Sequence, residues 1–277
     1  MAERSAEARA REAFLRRFHA ARPGCTSEAL ARGGTYHRLA ALVPPGARVL
    51  DLGAGDGYLC ELLAARGARA VGVDFSHDEL ARFGARVRRL GAAAAPAPVG
   101  APVAVAARAQ ELPFADGAFD ACVSHFALML MADAPAVVRE LWRVLAPGGQ
   151  LAALLGGGPV AGAPAGDAFH RFLEIAGPRL RAPALVEPGA RSERGFRALV
   201  AGWDAVDYER WEVDLGGSFD EVWCFLGASY QLPPEDAAAV QAALAASVAE
   251  LTDAEGRVPC RMVAWLGTAR RPPPATR

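Results

Sequence analysis

Lysine is missing from this chain, so arginine carries every fixed positive side-chain charge and Schiff-base chemistry is excluded. The formal net charge is only −1 over 277 residues, which argues against the broad basic face that nucleic acid requires. Cysteine is sparse: the five, at positions 25, 60, 122, 224 and 260, form no C-x-x-C pair and no zinc spacing. No metal is therefore expected, and a reduced cytoplasm is the simplest home. Cys60 and Cys122 lie in apolar contexts, where cysteine behaves as a small buried hydrophobe. Long apolar runs are also lacking. The most apolar stretch, residues 151–166, is interrupted by Gly156, Gly157, Gly158, Pro159 and Pro164, so no membrane span is expected. Near the start, Glu7 is spaced to meet Arg11 and Glu12 to meet Arg16, the pairing of a solvated helix rather than of an export leader.

What is present is concentrated in Val49-Leu50-Asp51-Leu52-Gly53-Ala54-Gly55-Asp56-Gly57-Tyr58-Leu59. This reads as an apolar strand breaking into a glycine loop and then a helix whose inner face begins with Leu59, Leu62 and Leu63. Glycines at 53, 55 and 57 permit a sharp turn and close approach of a ligand, with helix-start amides expected to face it. Asp51 decides what kind of ligand. A fixed carboxylate two positions before the first glycine would repel a pyrophosphate and favour a cation, which disfavours an NAD-dependent reductase. S-adenosyl-L-methionine (SAM) carries a sulfonium and an ammonium and has no phosphate. Asp51, Gly53, Ala54, Gly55 and Gly57 are the first predicted cofactor residues.

A second strand, Ala70-Val71-Gly72-Val73, ends at Asp74 roughly 20 residues beyond the loop, where a βαβ unit presents an acid to ribose hydroxyls. Phe75 is placed to lie against a flat base. Ser76 and Glu79 have the spacing of a capping box for the next helix. Farther on come Glu111-Leu112-Pro113-Phe114-Ala115-Asp116-Gly117-Ala118-Phe119-Asp120, an apolar strand to Ser124-His125, and a helix opened near Asp133 and Pro135. That helix is apolar at Val137, Val138, Leu141, Trp142 and Leu145, with Pro147-Gly148-Gly149 as its stop.

The combination VLDLGAGDG, VGVD, LPFADGAFD and RELWRVLAPGG resembles the class I SAM-dependent methyltransferases, particularly the broad group related to quinone-biosynthesis enzymes. The likeness covers about residues 47–155. It implies an α/β, Rossmann-like, doubly wound and mostly parallel seven-stranded sheet, with a helical cover over 1–44 and a lid insertion after strand five. The methyltransferase domain would fill 45–277, its cofactor core 47–155 and its lid and closing elements 156–277. The resemblance also implies that the segment before Leu112 edges the adenine, with Ala109 as backbone donor. Arg108 departs from the acid usual there and cannot accept from the adenine amine, which leaves Gln110 or a backbone carbonyl. Ser124 and Tyr36 complete the predicted cofactor set.

Methyl transfer requires mainly alignment of the acceptor with the methyl group. A hydroxyl acceptor must also lose a proton, and a histidine near its solution pKa suits that role. His125, following strand four at the sheet's carboxyl edge, is the first catalytic candidate and His37 the second. The Pro-Pro-aromatic signature of exocyclic amine methylation is absent at Ser124-His125-Phe126-Ala127. The expected reaction is O-methylation of a small organic acceptor in specialised metabolism, leaving S-adenosyl-L-homocysteine. C- or N-methylation, or a SAM-binding cyclase or scaffold without methyl transfer, are the alternatives. Neither nucleic acid nor membrane is an expected partner, and oligomeric state is not legible.

Beyond residue 155 the pattern predicts helices over 167–175, 193–203, 219–230 and 235–254, and strands over 151–155, 208–215 and 258–268. Residues 91–102 read as an uncharged connector and the Arg-Pro tail as unstructured. Phe172, Phe219, Trp223, Phe225 and Tyr230 suggest an aromatic cover, although their helical spacing is also what core packing requires.

Overall fold

The computed structural model describes residues 12, 13, 15, 24–93, 100–161, 166–180, 188–230 and 232–273. The pairings Glu7–Arg11 and Glu12–Arg16, the body of the connector and the last four residues of the tail lie outside them. Helices α1 (Cys25–Arg32) and α2 (Thr35–Ala41) precede β1 (Arg48–Leu52). Then follow α3 (Tyr58–Ala65), β2 (Arg69–Asp74), α4 (His77–Ala93), β3 (Val103–Ala106), β4 (Phe119–His125), α5 (Ala134–Val144) and β5 (Leu145–Pro159). The chain closes with α6 (Ala168–Ala176), α7 (Glu193–Leu199), β6 (Asp204–Asp214), α8 (Phe219–Ser229), α9 (Pro234–Val248) and β7 (Arg261–Arg270).

The seven strands form one sheet in the order β3-β2-β1-β4-β5-β7-β6. Parallel pairing runs from β3 through β5, with Asp51 opposite Gly72 on one side and Val123 on the other. Because β1 leads outward to β2 and β3 before the chain crosses to β4, the topological switch lies between β1 and β4. Their carboxyl ends are where an open α/β sheet places its ligand. Val49, Leu50 and Leu52 are all fully buried, so β1 has no solvent face, as a central parallel strand requires. Helix α5 packs Val137, Val138, Leu141 and Val144 into the same core. Its entry is held by Asp133, which accepts the Ala136 amide in a left-handed backbone conformation.

Several boundaries differ from the sequence expectation. Strand β5 begins at Leu145 and continues past Pro147-Gly148-Gly149 instead of starting at 151. The register shifts there, from Phe119 opposite Leu145 to Ala121 opposite Gln150, while Gly148 and Gly149 exchange backbone hydrogen bonds with Arg271. Helix α7 ends at Leu199, four residues early, and β7 runs on to Arg270. The Ser76 box is only half made: its hydroxyl accepts the Glu79 amide, but its own amide donates to Asp74 and Glu79 pairs with Arg82. A complete box forms instead at Ser218 and Glu221.

Two compact units divide the chain, with cuts inside β5, β6 and β7 and also before Thr35 and before Val186. One comprises Thr35–Gly156, Val186–Arg210 and Trp265–Arg277. The other comprises Met1–Gly34, Gly157–Leu185 and Trp211–Ala264. In the latter, Phe172, Trp223 and Phe225 are buried, Phe172 meeting Trp223 and Phe225 meeting Phe169, so these aromatics are core. The same unit holds a cysteine pair that no local spacing announced: Cys25 of α1 and Cys224 of α8 form a disulfide, their Cα atoms 5.2 Å apart. Cys60, Cys122 and Cys260 are free and buried. No described helix is long and apolar enough to cross a membrane.

Candidate functional site

The glycine loop between β1 and α3 is tied down from within. Gly53 and Ala54 both donate to the Val73 carbonyl, at 2.8 and 3.0 Å. Gly55 donates to Asp74 Oδ2 at 3.0 Å, Gly57 to the Ala54 carbonyl at 3.0 Å and Tyr58 to Asp56 Oδ1 at 3.3 Å. The expectation that these amides await a ligand is therefore corrected, since strand β2 and the loop itself consume them. A pyrophosphate, which needs open helix-start donors, would find none among these five. At Gly57, φ is 81° and a Cβ would overlap the Phe83 ring, so only glycine fits. At Gly55, φ is 54° and the corresponding space is open, with only Glu79 Oε2 near, at 3.9 Å. A ligand has room there.

Asp51, at the end of β1, is 1% exposed. Its Oδ2 accepts a hydrogen bond from Cys60 Sγ at 3.4 Å, whereas Oδ1 is buried with no partner. Burial, assisted by the nearby charges of Asp74 and Asp56, raises its pKa to about 7 against the opposing thiol bond. A buried carboxyl oxygen without a hydrogen-bond partner is chemically suited to a cationic donor, and the amide-poor loop is suited to a ligand without phosphate. The residues thus fit SAM. Asp74 is 9% exposed, and its two oxygens accept from Gly55 and, at 2.8 Å, from Ser76. Asp74 thus ends β2 as a carboxylate held against the glycine loop, the residue type that a ribose diol would require.

Around the expected adenine edge, Phe75 is half-buried and Ala109 buried. Gln110 spends its amide nitrogen on the Ala132 carbonyl, which leaves its Oε1 as the acceptor. Ser124 is corrected outright. It is fully buried, donates to the Leu52 carbonyl at 3.0 Å and accepts from the Leu128 amide at 3.1 Å, so its hydroxyl ties β1 to β4 and faces no ligand.

At the end of β4, the His125 ring stacks on Tyr36 with centroids 3.6 Å apart. Its Nε2 lies 2.8 Å from Thr35 Oγ1. Tyr36 also meets the edge of Tyr58, the first residue of α3, at 4.9 Å. Helix α2 thereby brings Tyr36 to both the glycine loop and β4. His37, the second catalytic candidate, is exposed, and among the described residues no ring contact joins it to the His125–Tyr36 stack. Burial lowers the His125 pKa to about 3, so the imidazole is neutral, and the premise of a solution-like base is corrected. Burial likewise pushes the Tyr36 phenol well above its ordinary value. Thr35 and Tyr58 carried no assignment from sequence. The only available signal was adjacency, each lying next to a residue already singled out.

A family profile described as "Methyltransferase domain" matches residues 50–153. Demethylmenaquinone methyltransferase of Mycobacterium marinum is 34% identical over 193 residues, which are 65% of this chain and 76% of that enzyme. The chain belongs to the class I SAM-dependent methyltransferases. The demethylmenaquinone methyltransferase of Thermus thermophilus is 41% identical to this methyltransferase over 111 residues, 39% of the chain and only 46% of that relative. Among solved structures, the YcgJ protein from Bacillus subtilis superposes with a TM-score of 0.55 at 19% identity, covering 85% of this chain and 99% of that one. At that identity the likeness concerns the fold alone.

Proposed function

We propose that this methyltransferase transfers the SAM methyl group to an acidic hydroxyl of a small organic acceptor, the phenol, enol or hydroquinone class, with specialised metabolism as its setting. The observation that carries the oxygen assignment is the His125 environment. Burial opposes the imidazolium, so the neutral His125 ring is suited to hold an acceptor hydroxyl that is acidic enough to ionise without a strong base. When bound, SAM supplies the electrophilic methyl. Asp51 would face the cofactor's positive end, Asp74 would hold the ribose hydroxyls, Phe75 would pack on the adenine, and the Ala109 amide and Gln110 carbonyl would read its edge. Tyr36, from the helical cover over 1–44, closes the cofactor, and His125 orients the acceptor hydroxyl. The methyltransferase domain spans 45–277, and the enzyme works without nucleic-acid or membrane partners.

The M. marinum relative is named for demethylmenaquinone, so that compound belongs in the acceptor panel beside simple phenols and enols. The test is incubation with methyl-labelled SAM followed by mass spectrometry of the products. Label on a phenolic or enolic oxygen is the expected result. Label on ring carbon would overturn the oxygen assignment, and SAM binding without turnover on any acceptor would point to the cyclase or scaffold alternative.

A further inference from the structure

Arg86, midway along α4, lies outside every residue so far assigned a role, yet its guanidinium makes four contacts with the cofactor loop and its exit helix. Nε donates to the Asp56 carbonyl at 3.0 Å and one terminal nitrogen to Asp56 Oδ2 at 2.5 Å. The other terminal nitrogen donates to Glu61 Oε2 at 2.8 Å, and the guanidinium carbon sits 5.1 Å from the centre of the Tyr58 ring. One planar cation thus holds the residue before Gly57, the residue after it, and the acid one turn into α3. The side chain is 21% exposed, so these interactions are partly shielded from water and a single pair is worth more than a surface ion pair.

The contacts continue. Tyr58 presents its edge to Tyr36 at 4.9 Å, and Tyr36 stacks on His125 at 3.6 Å. We infer that Arg86 is a positioning residue: it fixes the Asp56-Gly57-Tyr58 turn and, through the Tyr58 ring, sets where Tyr36 stands over the cofactor loop. A second effect comes from charge. Asp51, Asp56, Asp74 and Glu79 surround the loop, and Arg86 neutralises Asp56, the member nearest the turn. Lysine would supply the charge without the fork that grips a carboxylate and a carbonyl together. The inference rests on the proposed use of Tyr36 as a cofactor contact.

The test is calorimetric SAM binding, with turnover at saturating SAM and thermal melting measured alongside. Arg86→Met should weaken SAM binding about ten- to hundredfold, while saturated turnover stays within roughly threefold because no reacting atom is touched. Arg86→Lys should recover only part of the affinity. Tyr58→Leu, which leaves both ion pairs intact, should weaken SAM binding in the same direction and serves if Arg86→Met does not fold. Combined with Tyr36→Ala, Arg86→Met should add less than its separate effect, since both act along one chain of contacts. A folded Arg86→Met with a lower melting temperature but unchanged SAM affinity would overturn the inference, as would full additivity with Tyr36→Ala. Failure of the wild-type protein to bind SAM would instead overturn the functional reading beneath it.

Discussion

Asp74 Oδ2 and the Gly55 amide are joined at 3.0 Å, so the acid that ends β2 braces the loop that ends β1. One carboxylate therefore shapes the cofactor loop and is also the proposed ribose ligand. Asp74→Ala should weaken SAM binding by roughly 1.5–3 kcal/mol, the scale of hydrogen bonds to a charged group. The fold should survive, because Val73 still takes two loop amides. Calorimetry on the folded variant decides it, and unchanged affinity would remove Asp74 from the cofactor site.

Asp51 should make cofactor affinity and stability run oppositely with pH. Its carboxyl is raised from an ordinary 3.8 to about 7 by burial, so the folded protein keeps this proton where the unfolded chain has lost it. That contribution is full below pH 3.8 and lost as pH rises through 7. Without SAM, the wild-type melting temperature should fall between about pH 4 and 7 relative to Asp51→Asn, which has no such titration. SAM affinity should rise over the same window as the anion forms. An identical pH profile in the two proteins would show that Asp51 does not titrate there.

His125 should leave no imprint on the rate near pH 6–7, since burial holds its pKa at about 3. Any acid limb in that range should belong to Asp51 and vanish in Asp51→Asn. His125→Ala should lower turnover about 10–10²-fold, because the acceptor hydroxyl loses the neutral ring that orients it. Stopped-time assays across pH 5–9 provide the check, and a variant within a few-fold of wild type would reduce His125 to a packing partner of Tyr36.

Cys25 and Cys224 should be protected from thiol reagents until reduced. In the oxidised native protein the other three thiols are buried, so labelling should be negligible before reduction and should reach two per chain after it. Opening this loop, or replacing both residues by serine, should cost about 2–5 kcal/mol of stability, the range for long closed loops. Thiol counting by mass spectrometry, with melting curves in and out of reductant, tests both statements. Two reactive thiols in the untreated protein would mean the pair stays reduced.

The cofactor loop, the strand-end acids and the order of the first five strands were legible in sequence because each depends on local spacing. An apolar strand, three glycines and a helix within eleven residues leave one sensible geometry, and Asp51 already distinguished a cationic ligand from a phosphate. What those residues do with their polar atoms was not legible. The loop amides are consumed by the Val73 carbonyl and the Asp74 carboxylate, partners about twenty residues away that only strand pairing brings into register. Ser124 looked like a site residue for its place at a strand end, yet its hydroxyl is claimed by β1 and by its own following turn. Tyr36 and His37 were equal candidates in one dimension. Helix α2 faces one inward and the other to water, and that rotation is set by packing. The pairing of Cys25 with Cys224 spans 199 residues, and Arg86 reaches Asp56 across thirty, so neither leaves a local pattern to read. Spacing determined which chemistry the chain carries; side-chain direction, burial and long-range contact, which exist only once the sheet has formed, decided which atoms remain open to perform it.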